Sequence, residues 1–359
     1  MSKVLIIGPS WLGDMIMSQA LFKALHKQNK IIDVLAPKWN HAILKCMPEV
    51  NKAIELPFDH GEIKLYARYK FAQSLRQEQY DECIVIPNSF KSALIPYWAK
   101  ISIRTGWLGE FRYLLLNNYQ KLKPAVLPLM VQRLAALAYF DKNFNQENFV
   151  KFDNNKILYP KLYSNPKIVD NTFEKYKLTS QKLNAKILIL APGAAFGEAK
   201  KWPEEHFAEV AREKIKQGWH IILLGSPKDK LSADKVAEQI ANSNQCSNLA
   251  GLLQLPETVA IISQAQAIVS NDSGLLHVAA GLSTPLIGIY GSTSPGFTPP
   301  LISDDKKAIL EINKSQLSCR PCFQKTCQFG HLRCLRDIKP QLVINILDKL
   351  DKSGKLCES

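Results

Sequence analysis

The sequence predicts an α/β protein of two domains, each built on a parallel sheet. Three observations carry this prediction. Short apolar runs alternate with longer segments of helical period. The runs are rich in Val, Ile and Leu with little alternation, as strands covered on both faces should be. The series also begins twice, once at Val4 and again at Ile187.

Predicted strands are Val4-Ile7, Ile32-Leu35, Glu82-Ile86, Ile187-Leu190, His220-Leu224, Ala267-Ser270 and Pro285-Ile289. Predicted helices fall at about 14–28, 89–99, 204–217, 230–242, 256–264 and 274–282, with a closing helix over Pro340-Leu350. Strand–helix–strand repetition implies right-handed crossovers and parallel pairing. Residues 141–185 are rich in Asn, Lys and Tyr with weaker periodicity, so the join is placed near 155–175. The expected organisation is an N-terminal domain over 1–165, a second over 166–337 and a C-terminal helix over 338–359. Ligands of such sheets gather at the carboxyl ends of the strands.

Bulk properties narrow the function. A chain of 359 residues suits two ordinary cores. The charge of +14 suggests an anionic partner: nucleic acid, an acidic membrane face or a phosphorylated substrate. The opening run Val4-Ile7 is too short for a signal-peptide core, and no stretch approaches the roughly 18 apolar residues that span a bilayer. The expected location is the cytoplasm, peripheral to a membrane.

The first strand leads into Gly8-Pro9-Ser10-Trp11-Leu12-Gly13-Asp14. A phosphate loop would carry Lys then Ser or Thr after its second glycine, where Asp14-Met15 stands. A carboxylate repels phosphate but suits a general base facing a neutral hydroxyl. The structural alternative is that Asp14 is an N-cap.

Two loops of the second domain suit a diphosphate. In Pro192-Gly193-Ala194 through Lys200-Lys201-Trp202-Pro203, small residues allow close approach and Lys200 or Lys201 is a candidate to neutralise the diphosphate, the alternative being that these lysines are simply solvated. In Asn271-Asp272-Ser273-Gly274-Leu275-Leu276-His277, the amides of Ser273 and Gly274 lie at a helix start, where the dipole favours an anion. Asp272 is positioned for sugar hydroxyls and His277 lies one turn further on. The alternative makes Asp272 a cap and His277 a core histidine. Asp229, after the strand ending at Leu224, is a candidate ribose contact or part of an ordinary turn.

Together these segments resemble glycosyltransferase family 9, the lipopolysaccharide heptosyltransferases, over nearly the whole chain. Pro87-Asn88-Ser89-Phe90-Lys91-Ser92-Ala93, Arg104-Thr105-Gly106-Trp107, Ser294-Pro295 and Phe297-Thr298-Pro299-Pro300 join the resemblance. It implies a GT-B fold, two Rossmann-like domains facing a central cleft, with the last helix crossing back to the first domain. It implies an ADP-heptose donor on the second domain and an anionic heptosyl-Kdo-lipid A acceptor on the first, at the cytoplasmic face of the inner membrane. Transfer of L-glycero-D-manno-heptose would invert the anomeric centre, with Asp14 as the base. Lys200 would contact phosphate and sugar, Asp272 the heptose, Ser273 and Gly274 the pyrophosphate, Asp229 the ribose, and Ala250-Leu253 the adenine edge. The versions Trp11-Leu12-Gly13-Asp14 and Asn88-Ser89-Phe90-Lys91 favour the enzyme adding the second heptose over those acting on other core acceptors. A non-catalytic nucleic-acid-binding protein is the reading of another class; no nucleic-acid motif accompanies it.

No Asp-x-Asp pair occurs, so no metal is needed for the donor. Residues 61–133 hold eleven Lys or Arg against five Asp or Glu, a net of +6. Within this stretch Lys91, Arg104 and Arg112 are the favoured acceptor contacts. Cys319, Cys322, Cys327 and Cys334, with His331 nearby, have a spacing that suits structural zinc, with iron the alternative metal and free or redox-active thiols the competing reading. Family members differ in having these cysteines, which makes any metal there structural.

Overall fold

The computed structural model describes residues 1–58, 62–151, 158–240 and 244–353. Cys357, the tail of the predicted C-terminal segment and part of the predicted join lie outside them. The chain forms two compact units, Met1–Pro160 and Lys161–Ser359.

The first unit carries β1 (Lys3–Ile7), β2 (Ile31–Ala36), β3 (Val50–Glu55), β4 (Glu82–Val85), β5 (Ile103–Trp107) and β6 (Asn118–Gln120). They pair in the order β3-β2-β1-β4-β5-β6, every pair parallel. The second unit carries β7 (Lys186–Ala191), β8 (Trp219–Leu223), β9 (Cys246–Asn248), β10 (Ala267–Asn271), β11 (Leu286–Tyr290) and β12 (Lys307–Glu311). Their order is β12-β11-β10-β7-β8-β9, again all parallel. The topology is therefore the same twice. Each sheet grows outward from its first strand, then resumes on that strand's other side. This creates a switch point between β1 and β4 in one unit and between β7 and β10 in the other, where α/β sheets bind ligands.

All seven predicted strands are present. The structure adds β3, β5, β6, β9 and β12. Four of these are the outer strands of the two sheets, where one side faces solvent and the apolar run breaks up, as in Val-Asn-Lys-Ala-Ile-Glu of β3. The criterion of a continuous buried run finds central strands and misses edges.

The helix predicted over 14–28 is two helices, Leu12–Met17 and Gln19–Lys27. At the break, the Ser18 hydroxyl donates to the Asp14 carbonyl at 2.7 Å, a back-bond that competes with the helix ladder. The closing helix, Pro340–Ser353, packs on the helix Glu204–Lys216. The buried Lys214 ammonium reaches Asp348 at 2.5 Å across that contact. Just before it, the Trp202 indole donates to the Ile338 carbonyl at 2.9 Å.

Candidate active site

In the second unit the loops after β7 and β10 meet at the switch point. Asn271, the last residue of β10, is fully buried and braces them. Its side-chain amide donates to the carbonyls of Pro192 (2.8 Å) and Gly193 (3.3 Å), and its oxygen accepts from the Trp202 amide at 3.0 Å. One side chain thus fixes both ends of the 192–202 loop against the start of the helix Gly274–Gly281.

Lys200 leans across this frame. Its ammonium stands 2.6 Å from Asp272 Oδ2 and 4.9 Å from the centre of the Phe196 ring. Asp272 is 4% exposed, and Thr293 Oγ1 donates to the same carboxylate oxygen at 2.7 Å. A carboxylate so deep is tolerable because a cation and a hydroxyl both meet it.

Gly193 shows why glycine stands there. A Cβ at this position would lie 2.1 Å from Asp229 Cγ and 2.3 Å from its Oδ1. Asp229 is itself held by the Ser226 amide at 2.9 Å and hydroxyl at 2.6 Å, both on Oδ2. The loop after β9 joins the group through the Gly251 amide, which donates to the Gly225 carbonyl at 2.9 Å. Ala194 is buried beside Gly193.

Ser273 occupies the N-cap position of the helix Gly274–Gly281, with extended backbone and no side-chain cap bond. Its hydroxyl pairs instead with that of Ser270 at 3.1 Å. His277 is buried. Desolvation holds its imidazole below the usual range, Asp272 opposes that shift and Lys200 adds to it. It is a neutral histidine near neutral pH, behind the ion pair rather than beside open solvent.

In the first unit Asp14 lies in the first turn of the helix Leu12–Met17, after β1 at the switch point. The N-cap position belongs to Trp11, whose side chain makes no cap bond, so Asp14 is not the cap. The loop before it is fixed by Asn40, whose amide donates to the carbonyls of Pro9 (3.1 Å) and Ser10 (3.2 Å), and by the Trp39 indole donating to Ser10 at 3.1 Å. Lys91, after β4, stands at the other side of the same switch point, with its ammonium donating to the Glu62 carbonyl at 3.3 Å.

Arg104 and Arg112 do not fit an acceptor contact. Arg104 lies near the amino end of β5, away from the edge carrying Asp14. Its guanidinium donates to the carbonyls of Leu115 and Ile101 at 2.7 Å each and faces the Tyr97 ring. Arg112 is fully buried. It donates to the carbonyls of Pro87 (2.7 Å), Gly109 (3.2 Å) and Trp107, and to Asn88 Oδ1 (3.1 Å). Burial lowers its pKa to about 10, still well above neutral pH. A guanidinium spent on four acceptors is a strut.

Cys319, Cys322, Cys327 and Cys334, all unpaired, line one cavity of about 20 Å³ with His331. Backbone amides, that of Leu332 foremost, hold the Cys327 thiol below its ordinary pKa. The donor type suits a soft metal. Even so, among the described residues no three His, Cys, Asp or Glu side chains stand in a metal-holding arrangement.

Two residues of this site had no assigned role in the sequence. Asn271 was visible as part of a motif, but a brace cannot be told from a loop polar residue by type alone. Thr293 lies 21 positions from the carboxylate it serves, and only the fold brings it there.

Twin doubly wound sheets, with small-residue loops and a buried Lys–Asp pair at one switch point and a carboxylate at the other, define a nucleotide-sugar glycosyltransferase of GT-B type. Residues 68–333 match the family described as Glycosyltransferase family 9 (heptosyltransferase). The chain is 42% identical over 352 residues to lipopolysaccharide heptosyltransferase 2 of Escherichia coli K12, covering 97% of this chain and 98% of that one. It is 43% identical to lipooligosaccharide heptosyltransferase 2 of Haemophilus influenzae, covering 97% and 99%. The solved E. coli ADP-heptose LPS heptosyltransferase II superposes with a TM-score of 0.85 at 40% identity, covering 98% and 99%. The chain belongs to glycosyltransferase family 9 and is a glycosyltransferase.

Proposed function

We propose that this chain moves L-glycero-D-manno-heptose from ADP-heptose to the first heptose of the lipopolysaccharide inner core, heptosyl-Kdo-lipid A, with inversion at the anomeric carbon. Its place is lipopolysaccharide core biosynthesis. The observation that carries the reading is the gathering of Gly193, Lys200, Asp229 and Asp272 around one switch point.

The chemistry follows from charge. Asp14 accepts the proton of an acceptor hydroxyl as that oxygen attacks the anomeric carbon, and ADP departs from the opposite face. Negative charge grows on the departing phosphate. Lys200, already held at Asp272, and the amides at Ser273 and Gly274 are the groups to meet it. Asp272 keeps sugar hydroxyls and Lys200 in register, Asp229 takes the ribose, and His277 supports Asp272 from behind as a neutral ring. No step calls for a metal. Lys91 is the acceptor-side cation that the first unit's geometry supports.

The acceptor is the bilayer-anchored, anionic core, so the working location is the cytoplasmic face of the inner membrane. Among the described residues no helix is long and apolar enough to cross a membrane, so contact with that face would be peripheral. The basic charge of the first unit is read as serving this partner rather than nucleic acid. Zinc or iron on the four cysteine thiolates would be a staple of the 319–334 loop, outside the transfer chemistry. Anaerobically purified protein carrying neither metal would remove that part.

The test is direct. Purified protein is incubated with ADP-heptose and either Kdo-lipid A or heptosyl-Kdo-lipid A, and the products are weighed by mass spectrometry. A gain of one heptose on the heptosylated acceptor supports the reading. A gain on Kdo-lipid A instead moves the chain to the first transfer.

A further inference from the structure

The loop after β5 presents apolar side chains to water in a way ordinary turns avoid. Phe111 is 87% exposed and Leu114 86%, with Tyr113 more than half exposed between them. Glu110 and Phe111 both take positive φ, 44° and 56°, in the left-handed region that a bulky residue enters only under constraint. The constraint is Arg112. Its buried guanidinium ties the loop to β4's exit and to Trp107, while the Glu110 carboxylate accepts the Phe90 amide at 2.7 Å. The loop is thus a held knob whose outward residues are apolar.

Its neighbours extend the surface. Phe90 is exposed beside Glu110, and Lys91 bridges to the 62–66 segment through the Glu62 carbonyl, where Ile63 and Tyr66 are exposed. These segments follow β3, β4 and β5 of a parallel sheet, so they share the sheet edge that carries Asp14. Apolar patches of this kind mark interaction sites. Lys64 and Lys91 bring positive charge to this edge, and its nearby carboxylates are engaged, Glu62 with Lys64 at 2.7 Å and Glu110 with the Phe90 amide.

We propose that this edge of the first unit docks on an anionic lipid bilayer, with Phe111 and Leu114 entering the headgroup–acyl boundary and the lysines meeting the headgroups. The inference rests on the proposed acceptor being bilayer-borne. Apolar tips with lysines, here Lys64 and Lys91, on the same edge are the chemistry of peripheral membrane contact. A second copy of the chain is the poorer occupant, because a two-fold contact would set the same positive surface against itself.

The experiment compares wild type with the double variant Phe111→Ser/Leu114→Ser. Co-sedimentation is measured with vesicles of phosphatidylethanolamine and phosphatidylglycerol, and with vesicles of phosphatidylcholine alone. Turnover is measured on a de-acylated, water-soluble acceptor. Wild type should bind the phosphatidylglycerol vesicles, and binding should fade with salt. The variant should bind them at least about tenfold more weakly, since two large apolar side chains no longer enter the boundary. Its turnover of the soluble acceptor and its thermal melting should match wild type. Equal vesicle binding by variant and wild type, or indifference of wild type to phosphatidylglycerol, overturns the docking. So does loss of a wild-type dimer in the variant with vesicle binding intact. A wild type inactive on the de-acylated acceptor would instead count against the proposed function, while the vesicle comparison would still read the docking.

Discussion

Lys200 Nζ and Asp272 Oδ2 stand 2.6 Å apart at the second unit's switch point, with both side chains largely shielded from water. The pair joins the loop after β7 to the loop after β10, and it stores a cation where phosphate charge would develop. Lys200→Met leaves a deep carboxylate with Thr293 alone. The variant should lose about 3 kcal/mol of stability in urea titration, the scale for removing one partner of a buried pair. ADP affinity by calorimetry should fall with it. Adding Asp272→Asn should restore part of the stability and none of the ADP affinity. Recovery of both would mean that Lys200 does not act on phosphate.

Gly193→Ala tests close approach. The new methyl group would meet the Asp229 carboxyl at 2.1 Å, so one loop must move. Overpacking of this kind costs about 1–3 kcal/mol. ADP binding should weaken about tenfold or more, if Asp229 and Gly193 share the nucleotide. Unchanged affinity would place the ribose elsewhere.

Arg112→Lys should behave as a folding variant, not a substrate variant. An ammonium cannot reach four acceptors spread as the guanidinium reaches them. Stability of the first unit should drop by about 2–4 kcal/mol, the scale for leaving several buried carbonyls unmet. Residual folded enzyme should keep its KM for the acceptor. A raised KM at normal stability would return Arg112 to the acceptor site.

Acid should loosen the second unit through its histidines. His206, His220 and His277 all have lowered pKa values, with burial the largest cause in each. A histidine depressed in the folded state contributes stability that is full above its unfolded pKa, about 6.5, and is lost as pH falls from there toward the folded value. Each of the two most buried, His220 and His277, adds at most about 1.4 kcal/mol per pH unit across that window. Urea midpoints from neutral pH to about pH 5 should fall, and His277→Asn should flatten the slope. A flat profile in wild type would contradict the assignment.

The central strands, the restart at Ile187 and the loops that meet at the second unit's switch point are legible because each leaves a local trace: a buried apolar run, a glycine next to lysines, an acidic residue at a helix start. Arg112 has the type and the basic neighbourhood of a surface contact, but it is buried. Its burial depends on Pro87, Asn88 and Trp107 closing around it, which no local pattern announces. For Arg104 the motif indicates a strand but not its position near the strand's amino end. Asn271 and Thr293 act across loops far apart in sequence, and only the parallel order β11-β10-β7 puts them against Lys200 and Asp272.

The proposed transfer needs Asp14 as its base and the second unit as its donor site. Asp14→Asn keeps size and hydrogen bonding while removing basicity. Wild type and variant are given ADP-heptose and heptosyl-Kdo-lipid A, with heptose gain followed by mass and ADP affinity by calorimetry. Turnover should fall at least about a hundredfold, the usual contribution of a general base, with ADP affinity unchanged. Near-normal transfer by Asp14→Asn would remove Asp14 as the base.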